Sequence, residues 1–212
     1  MPGSVVTRHL APDAVPFDFR VAYKFLKMPP SSPNAEVIHE MVARGIDQCR
    51  AVLEPRYRYR VCTMAGVEPG AVCVCLEDGV CFEGPGLGKV LEKARYAAFF
   101  VLTLGDKLDA EIARRAQDDF TTSYILDGVA STFAQGVLEV AEYELAEAAQ
   151  TLGCALTHRF APGYHNWDLR QQKQLFALLK AHEIGVKLSE SCFMLPQKSL
   201  SGVYGFEGGR EE

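Results

Sequence analysis

The sequence predicts one compact domain that mixes helices with strands, and three observations carry that reading. The chain has 212 residues, close to one domain at about 150 residues each, and no stretch reads as a linker, repeat or low-complexity tract. Apolar residues recur at steps of three and four over 34–53 and through a proline-free stretch from Asp119 to Gln150, the period of helices packed on one side. Arg56 to Met64 alternates instead, and Asp78-Gly79 separates two short apolar runs; these are the marks of a half-buried strand and a β-hairpin.

Composition narrows the function. Hydrophobic residues make up 48 % and charged residues 23 %, which excludes a disordered or collagen-like chain. A net charge of −5 argues against a nucleic-acid-binding module. The longest apolar run, around residues 96–104, is far shorter than the roughly 20 residues of a membrane span. No signal peptide opens the chain, so a soluble, reduced, cytoplasmic protein is expected, with neither nucleic acid nor membrane as partner.

The elements follow in order. Residues 1–16 carry three prolines and little periodicity, which predicts a loop or frayed, flexible arm. Phe17 to Lys27 predicts a short helix with Phe17, Val21 and Phe25 on one face, broken by the prolines of 28–33. Asn34 stands where a cap is needed for a helix whose stripe runs Ile38, Met41, Val42, Ile46, Cys49, Val52 and Leu53. Pro55 ends it. In the strand that follows, Tyr57, Tyr59, Val61 and Thr63 face one way and Arg56, Arg58, Arg60 and Cys62 the other. The basic face is read as solvated, with an acidic partner as the alternative. The hairpin sets 71–76 against 79–82. Val90 to Phe100 reads as a helix, with Phe99 to Leu104 as a competing buried strand. Asp106 is placed to cap a helix reaching about Gln117. Asp119 to Gln150 forms one long helix or two abutting ones, stopped at Gly153. Asp168 caps a further helix with Gln171 in the reciprocal capping-box position, its face Leu169, Gln172, Phe176 and Leu179, and Gly185 its stop. Residues 186–188, 192–195 and 200–206 read as strands, and 207–212 as a loose tail.

Several constellations invite chemistry. Cys73 and Cys75 share a strand face, with Cys81 across the hairpin, so three thiolates could approach one ion. Structural zinc sites generally use wider spacings and four ligands, and free cysteine is a common core residue; core packing is the expected role, and a small metal-binding redox protein the outside alternative. Gly84-Pro85-Gly86-Leu87-Gly88-Lys89 lacks both the P-loop spacing and the third glycine of a dinucleotide fingerprint, and reads as a strand-to-helix loop. No histidine pair has a metal-protease spacing, and no serine sits in a nucleophile elbow. Arg159-Phe160-Ala161-Pro162-Gly163-Tyr164 is different. An arginine fork suits a carboxylate, a tyrosine face suits a cation or flat ring, and glycine permits close approach to the backbone. An amino-acid zwitterion or a sulfonium nucleoside would fit; an arginine that merely holds the loop through carbonyl oxygens is equally compatible.

That hexapeptide, with residues 184–191 (Ile-Gly-Val-Lys-Leu-Ser-Glu-Ser), Met194-Leu195-Pro196 and Lys198-Ser199-Leu200-Ser201-Gly202, resembles the C-terminal activation domain of cobalamin-dependent methionine synthase in its stand-alone form. The ordered motifs span about 45 residues; residues 1–60 match less closely. The resemblance implies a single α+β domain over 1–212, with a twisted, mainly antiparallel sheet packed with helices, one of them long. It implies that S-adenosylmethionine binds in a shallow groove and gives its methyl group, with one electron from a flavodoxin-like or ferredoxin-like donor, to oxidised cobalamin carried by a partner. Arg159, Ala161, Gly163 and Tyr164 match the family's ligand positions. Gln135 falls where the family carries an acid on the long helix, with Glu139 one turn later. The family's Pro-Ala-Cys-Pro run is replaced by His165-Asn166-Trp167-Asp168; Trp167 could stack on adenine or pack at the helix start. No catalytic side chain and no metal ligand is implied. The chain has no Asp-x-His-x-x-Gly cobalamin motif and no zinc-thiolate barrel, so its partner would be a separate corrinoid protein or a methionine synthase lacking this domain. The alternative is a non-enzymatic scaffold that binds corrinoid proteins with a decayed S-adenosylmethionine site.

Overall fold

A computed structural model describes residues 3–29, 31–67 and 70–208. In chain order the elements are β1 (Val5–His9), α1 (Phe19–Phe25), α2 (Ala35–Arg50), β2 (Arg56–Thr63), β3 (Cys73–Cys75), β4 (Cys81–Glu83), α3 (Pro85–Leu91), β5 (Ala94–Thr103), α4 (Asp106–Asp118), α5 (Phe120–Thr151), β6 (Cys154–Leu156), α6 (Gln172–Leu179), β7 (Lys187–Leu188), β8 (Met194–Leu195) and β9 (Ser199–Gly208). Five strands form one antiparallel sheet in the order β1-β2-β5-β9-β6, and β3-β4 and β7-β8 are separate hairpins. The class is α+β.

β5 explains the layering. It lies mid-sheet, and the pleat sends successive side chains to opposite faces. Ala98, Phe100 and Leu102 join a core closed by α1, α2, α4 and α5. Ala97, Phe99 and Val101 join a second core closed by the β3-β4 hairpin, α3 and α6. A strand buried on both faces reads as a continuous apolar run, which is why residues from 90 onward resemble a helix. The helix expected over Val90 to Phe100 is displaced accordingly: Pro85 starts α3 at the position proline favours, and the strand begins at Ala94.

The long helix is single. α5 runs 32 residues, about 48 Å at 1.5 Å per residue, and buries Ile125, Val129, Phe133, Val137 and Leu145 in the first core. Asp119 caps it, its side chain accepting from the Thr122 amide at 3.0 Å. Gly153 follows with φ +68°.

Other expectations are corrected. Val5–His9, expected as loop, is an edge strand on β2, because its prolines flank the β-branched run rather than interrupt it. Asn34 lies at the start of α2 without a side-chain cap, and Gly105 rather than Asp106 occupies the cap position of α4, whereas Asp168 caps as expected, accepting from the Arg170 amide at the 3-10 turn that leads into α6. Gln171 does not reach back to its own helix; its amide donates to the Glu83 carbonyl at 2.7 Å, crossing to β4. The helix expected to run to Gly185 ends at Leu179, where Lys180 turns left-handed, and Gly185 closes a separate 3-10 turn. The tail expected from Glu207 begins inside β9, and residues 209–212 lie outside the described residues, as do residues 1–2 and Pro30.

The basic face of β2 is not solvated. Arg58 is 8 % exposed and pairs with Glu183 at 2.6 Å. Arg56 donates to the Ile184 carbonyl at 2.7 Å, and Arg60 pairs with Asp78 at 3.0 Å. The acidic partner is the chain's own second layer. The cysteine trio is corrected too: Cys73 is exposed, and Cys75 and Cys81 are half-buried and joined as a disulfide, against the core-packed, reduced state expected of them. No helix among the described residues is long and apolar enough to cross a membrane.

Candidate functional site

The Arg159–Tyr164 loop leaves β6 and is pinned to the sheet before it turns. Phe160 exchanges two backbone hydrogen bonds with Val203 of β9, at 2.9 and 2.8 Å. Its ring stacks on Trp167 at 5.6 Å, nearly parallel, and on His165 at 6.1 Å. The turn then closes on itself: the Gly163 amide donates to the Trp167 carbonyl at 2.7 Å, and the Trp167 amide to the Tyr164 carbonyl at 2.9 Å. Gly163, His165 and Asn166 all take positive φ. Trp167 is buried, and its indole donates to Gln171 at 3.2 Å. It packs at the helix start; it is not presented to a ligand.

Two glycines let neighbouring elements press on this loop. A Cβ at Gly86 of α3 would stand 2.3 Å from the His165 carbonyl oxygen and 2.7 Å from the Phe160 ring. A Cβ at Gly202 of β9 would stand 2.6 Å from the Phe160 carbonyl oxygen. The glycine-rich run after β4 is therefore a packing surface for the loop, in keeping with its reading as a strand-to-helix connection.

What the loop presents outward is polar. Arg159 is exposed and, among the described residues, makes no hydrogen bond or ion pair. Tyr164 is 65 % exposed, Gly163 is exposed, and Ala161 is half-buried. The Arg159 charge acts on Tyr204, whose ring lies in the first core against Phe100 and whose buried hydroxyl makes no hydrogen bond of normal geometry although the Glu142 carboxylate lies close to it. Burial pushes that phenol's pKa up, the Glu142 carboxylate beside it pushes further, and the Arg159 guanidinium opposes both. Glu142 lies on α5 one turn beyond Glu139 and two beyond Gln135, so the three share one helical stripe. Arg159 on the loop and Glu142 on the long helix thus both act on the Tyr204 hydroxyl.

Of the residues singled out in the sequence, Arg159, Ala161, Gly163 and Tyr164 are brought together by the loop. Gln135 is half-buried and Glu139 exposed on the α5 stripe, with no hydrogen bond or ion pair to the loop among the described residues. Tyr204 and Glu142 were not singled out. The signals for them were the three- and four-residue steps from Gln135, and the alternation of the last strand that turns Leu200, Gly202, Tyr204 and Phe206 toward α5. A cleft of about 690 Å³ lies between β3, the start of α3 and α6; it is lined by Asn166, just after the loop, and by none of Arg159, Ala161, Gly163 and Tyr164.

The fold has a close counterpart among solved structures. The chain matches a structure titled "Crystal Structure of the MetH Reactivation Domain bound to AdoHcy" with a TM-score of 0.78, over 100 % of this chain and 81 % of that one, at 15 % identity. A model of the family described as "Vitamin B12 dependent methionine synthase, activation domain" matches residues 67–208. The chain belongs to that family. No curated protein sequence matches it.

Proposed function

We propose that this protein is a reactivation module that binds S-adenosylmethionine between the Arg159–Tyr164 loop and α5. It supports reductive remethylation of cobalamin on a separate corrinoid protein or methionine synthase, in the cytoplasm. One observation carries the reading: Arg159 stands exposed on the loop with no hydrogen bond or ion pair among the described residues, and its charge acts on the buried Tyr204 hydroxyl, as the Glu142 carboxylate also does. A structural arginine would be consumed by carbonyl oxygens, as Arg56 is by Ile184.

The residues fit the ligand's chemistry. The Arg159 guanidinium grips the amino-acid carboxylate. Glu142, with Glu139 a turn away, supplies the negative charge that Gln135 cannot, and faces the ammonium or sulfonium. The Tyr164 ring lies beside the nucleoside or the cationic sulfur, and the exposed Gly163 lets the ligand approach the backbone. S-adenosylmethionine supplies an already activated methyl group; the nucleophile and the electron come from the corrinoid partner and a flavodoxin-like or ferredoxin-like donor. The protein's part is alignment, so no acid–base pair is needed.

Titration calorimetry with S-adenosylmethionine tests this. Saturable binding is expected, weakened about 10- to 100-fold in Arg159→Ala, the worth of one charge-assisted hydrogen-bonded contact of about 1.5–3 kcal/mol. No binding at millimolar ligand by the folded protein overturns the proposal and favours a corrinoid-binding scaffold.

A further inference from the structure

β3 places Cys73 and Cys75 on one face, and the register sets Cys75 directly opposite Cys81. Val74 and Phe82, on the other face of the hairpin, are fully buried in the second core. The three sulfurs thus sit on the face turned away from that core. They lie within 4.8 Å of one another, and Cys73 Sγ is 3.8 Å from Cys75 Sγ.

We propose that, once the Cys75–Cys81 bond is reduced, Cys73, Cys75 and Cys81 bind one divalent ion of the zinc type through three thiolates, with a fourth position left open. Two thiolates on tetrahedral zinc, with bonds of about 2.3 Å, stand about 3.8 Å apart, the separation Cys73 and Cys75 already have. The one-residue spacing is suited to a strand, where alternate residues share a face; the wider spacing of zinc fingers serves ligands that leave a turn. Three protein ligands and an open position are the pattern of zinc sites that accept a water or an incoming group. Cys73 also lines the cleft of about 690 Å³ beside α6, which gives an incoming group a route to the ion. The chemistry balances: a phosphine and one water convert the disulfide to two thiols and a phosphine oxide, and the ion then displaces the thiol protons.

The test uses the full chain, reduced with a water-soluble phosphine under argon and titrated with Co²⁺, then Zn²⁺. A thiolate-to-cobalt charge-transfer band and the visible bands of a tetrahedral ion should saturate at one equivalent and disappear on adding zinc. Cys73→Ser should weaken cobalt binding at least tenfold, and Cys75→Ser with Cys81→Ser should abolish it. These changes lie on the solvent face, and circular dichroism checks that the fold persists. In the unaltered chain, zinc should protect Cys73, Cys75 and Cys81 from iodoacetamide, as mapped by mass spectrometry. The proposal is overturned by a reduced, folded chain that shows no charge-transfer band, by binding indifferent to Cys73→Ser, or by protection at other cysteines.

Discussion

Glu144 of α5 ties the edge of the sheet to the long helix, and replacing it with glutamine should loosen that edge by a calculable amount. Its carboxylate accepts from Arg8 of β1 at 2.6 Å, from the Tyr59 hydroxyl at 3.0 Å, and from the Tyr57 hydroxyl. Burial alone would raise its pKa, but the hydrogen bonds from Tyr57, Arg8 and Tyr59 outweigh burial and hold it below the ordinary 4.5. Glu144→Gln keeps the shape and removes the charge. Two phenol bonds drop from charge-assisted to neutral, at about 1 kcal/mol each. The pair with Arg8 is lost at up to about 1 kcal/mol, discounted because Arg8 is 51 % exposed. The sum is about 2–3 kcal/mol, a fall in Tm of about 4–12 °C for a chain this long. The sign of the pH dependence follows from the depressed pKa: the wild-type advantage is complete above pH 4.5 and fades as pH falls through the folded value. Urea unfolding at pH 7 and pH 3 measures both. A difference under about 0.5 kcal/mol at pH 7, or one that persists undiminished at pH 3 in a folded protein, refutes the reasoning.

Further outcomes are expected. Tyr204→Phe removes a buried hydroxyl that makes no hydrogen bond of normal geometry, so stability should hold or rise by up to about 1 kcal/mol; a loss of that size in urea unfolding would show that its approach to Glu142 counts as a full bond. Gly86→Ala drives a methyl into the His165 carbonyl and Phe160 ring and should cost about 1–3 kcal/mol while weakening S-adenosylmethionine binding in calorimetry. Arg58→Ala should destabilise by about 2–4 kcal/mol, because it empties a buried position of the second layer; Arg20→Ala, where the arginine is 86 % exposed in its pair with Asp18, should leave the unfolding curve unmoved. Arg159→Ala should leave stability within about 0.5 kcal/mol, separating a ligand-binding arginine from a structural one.

How far the sequence reveals this molecule depends on the range of the interaction concerned. The period of Ile125, Val129, Phe133 and Val137 announces α5, and Asp78-Gly79 announces the hairpin turn, because both patterns are local. The motif from Arg159 to Tyr164 is legible because its glycine, proline and arginine sit within six residues. Arg58 was not legible: alternation assigns it a face but cannot say that Glu183, 125 positions later, covers it. Gln171 obeys the capping-box spacing and is then taken by β4, a tertiary contact overriding a local one. Tyr204 and Glu142 come near each other only when β9 is laid on α5. Likewise the cysteines look like core until Val74 and Phe82 are seen to claim the inward face.

The contact of α3 with the loop at Gly86 has a consequence for recognising kindred chains. There the fit depends on a single hydrogen where every other residue type would bring carbon, so the bed of the loop is inscribed in what is left out of a distant helix. A survey that compares only the groups reaching toward the bound molecule would overlook that inscription, whereas any lineage that fills the gap must reshape the bed as well.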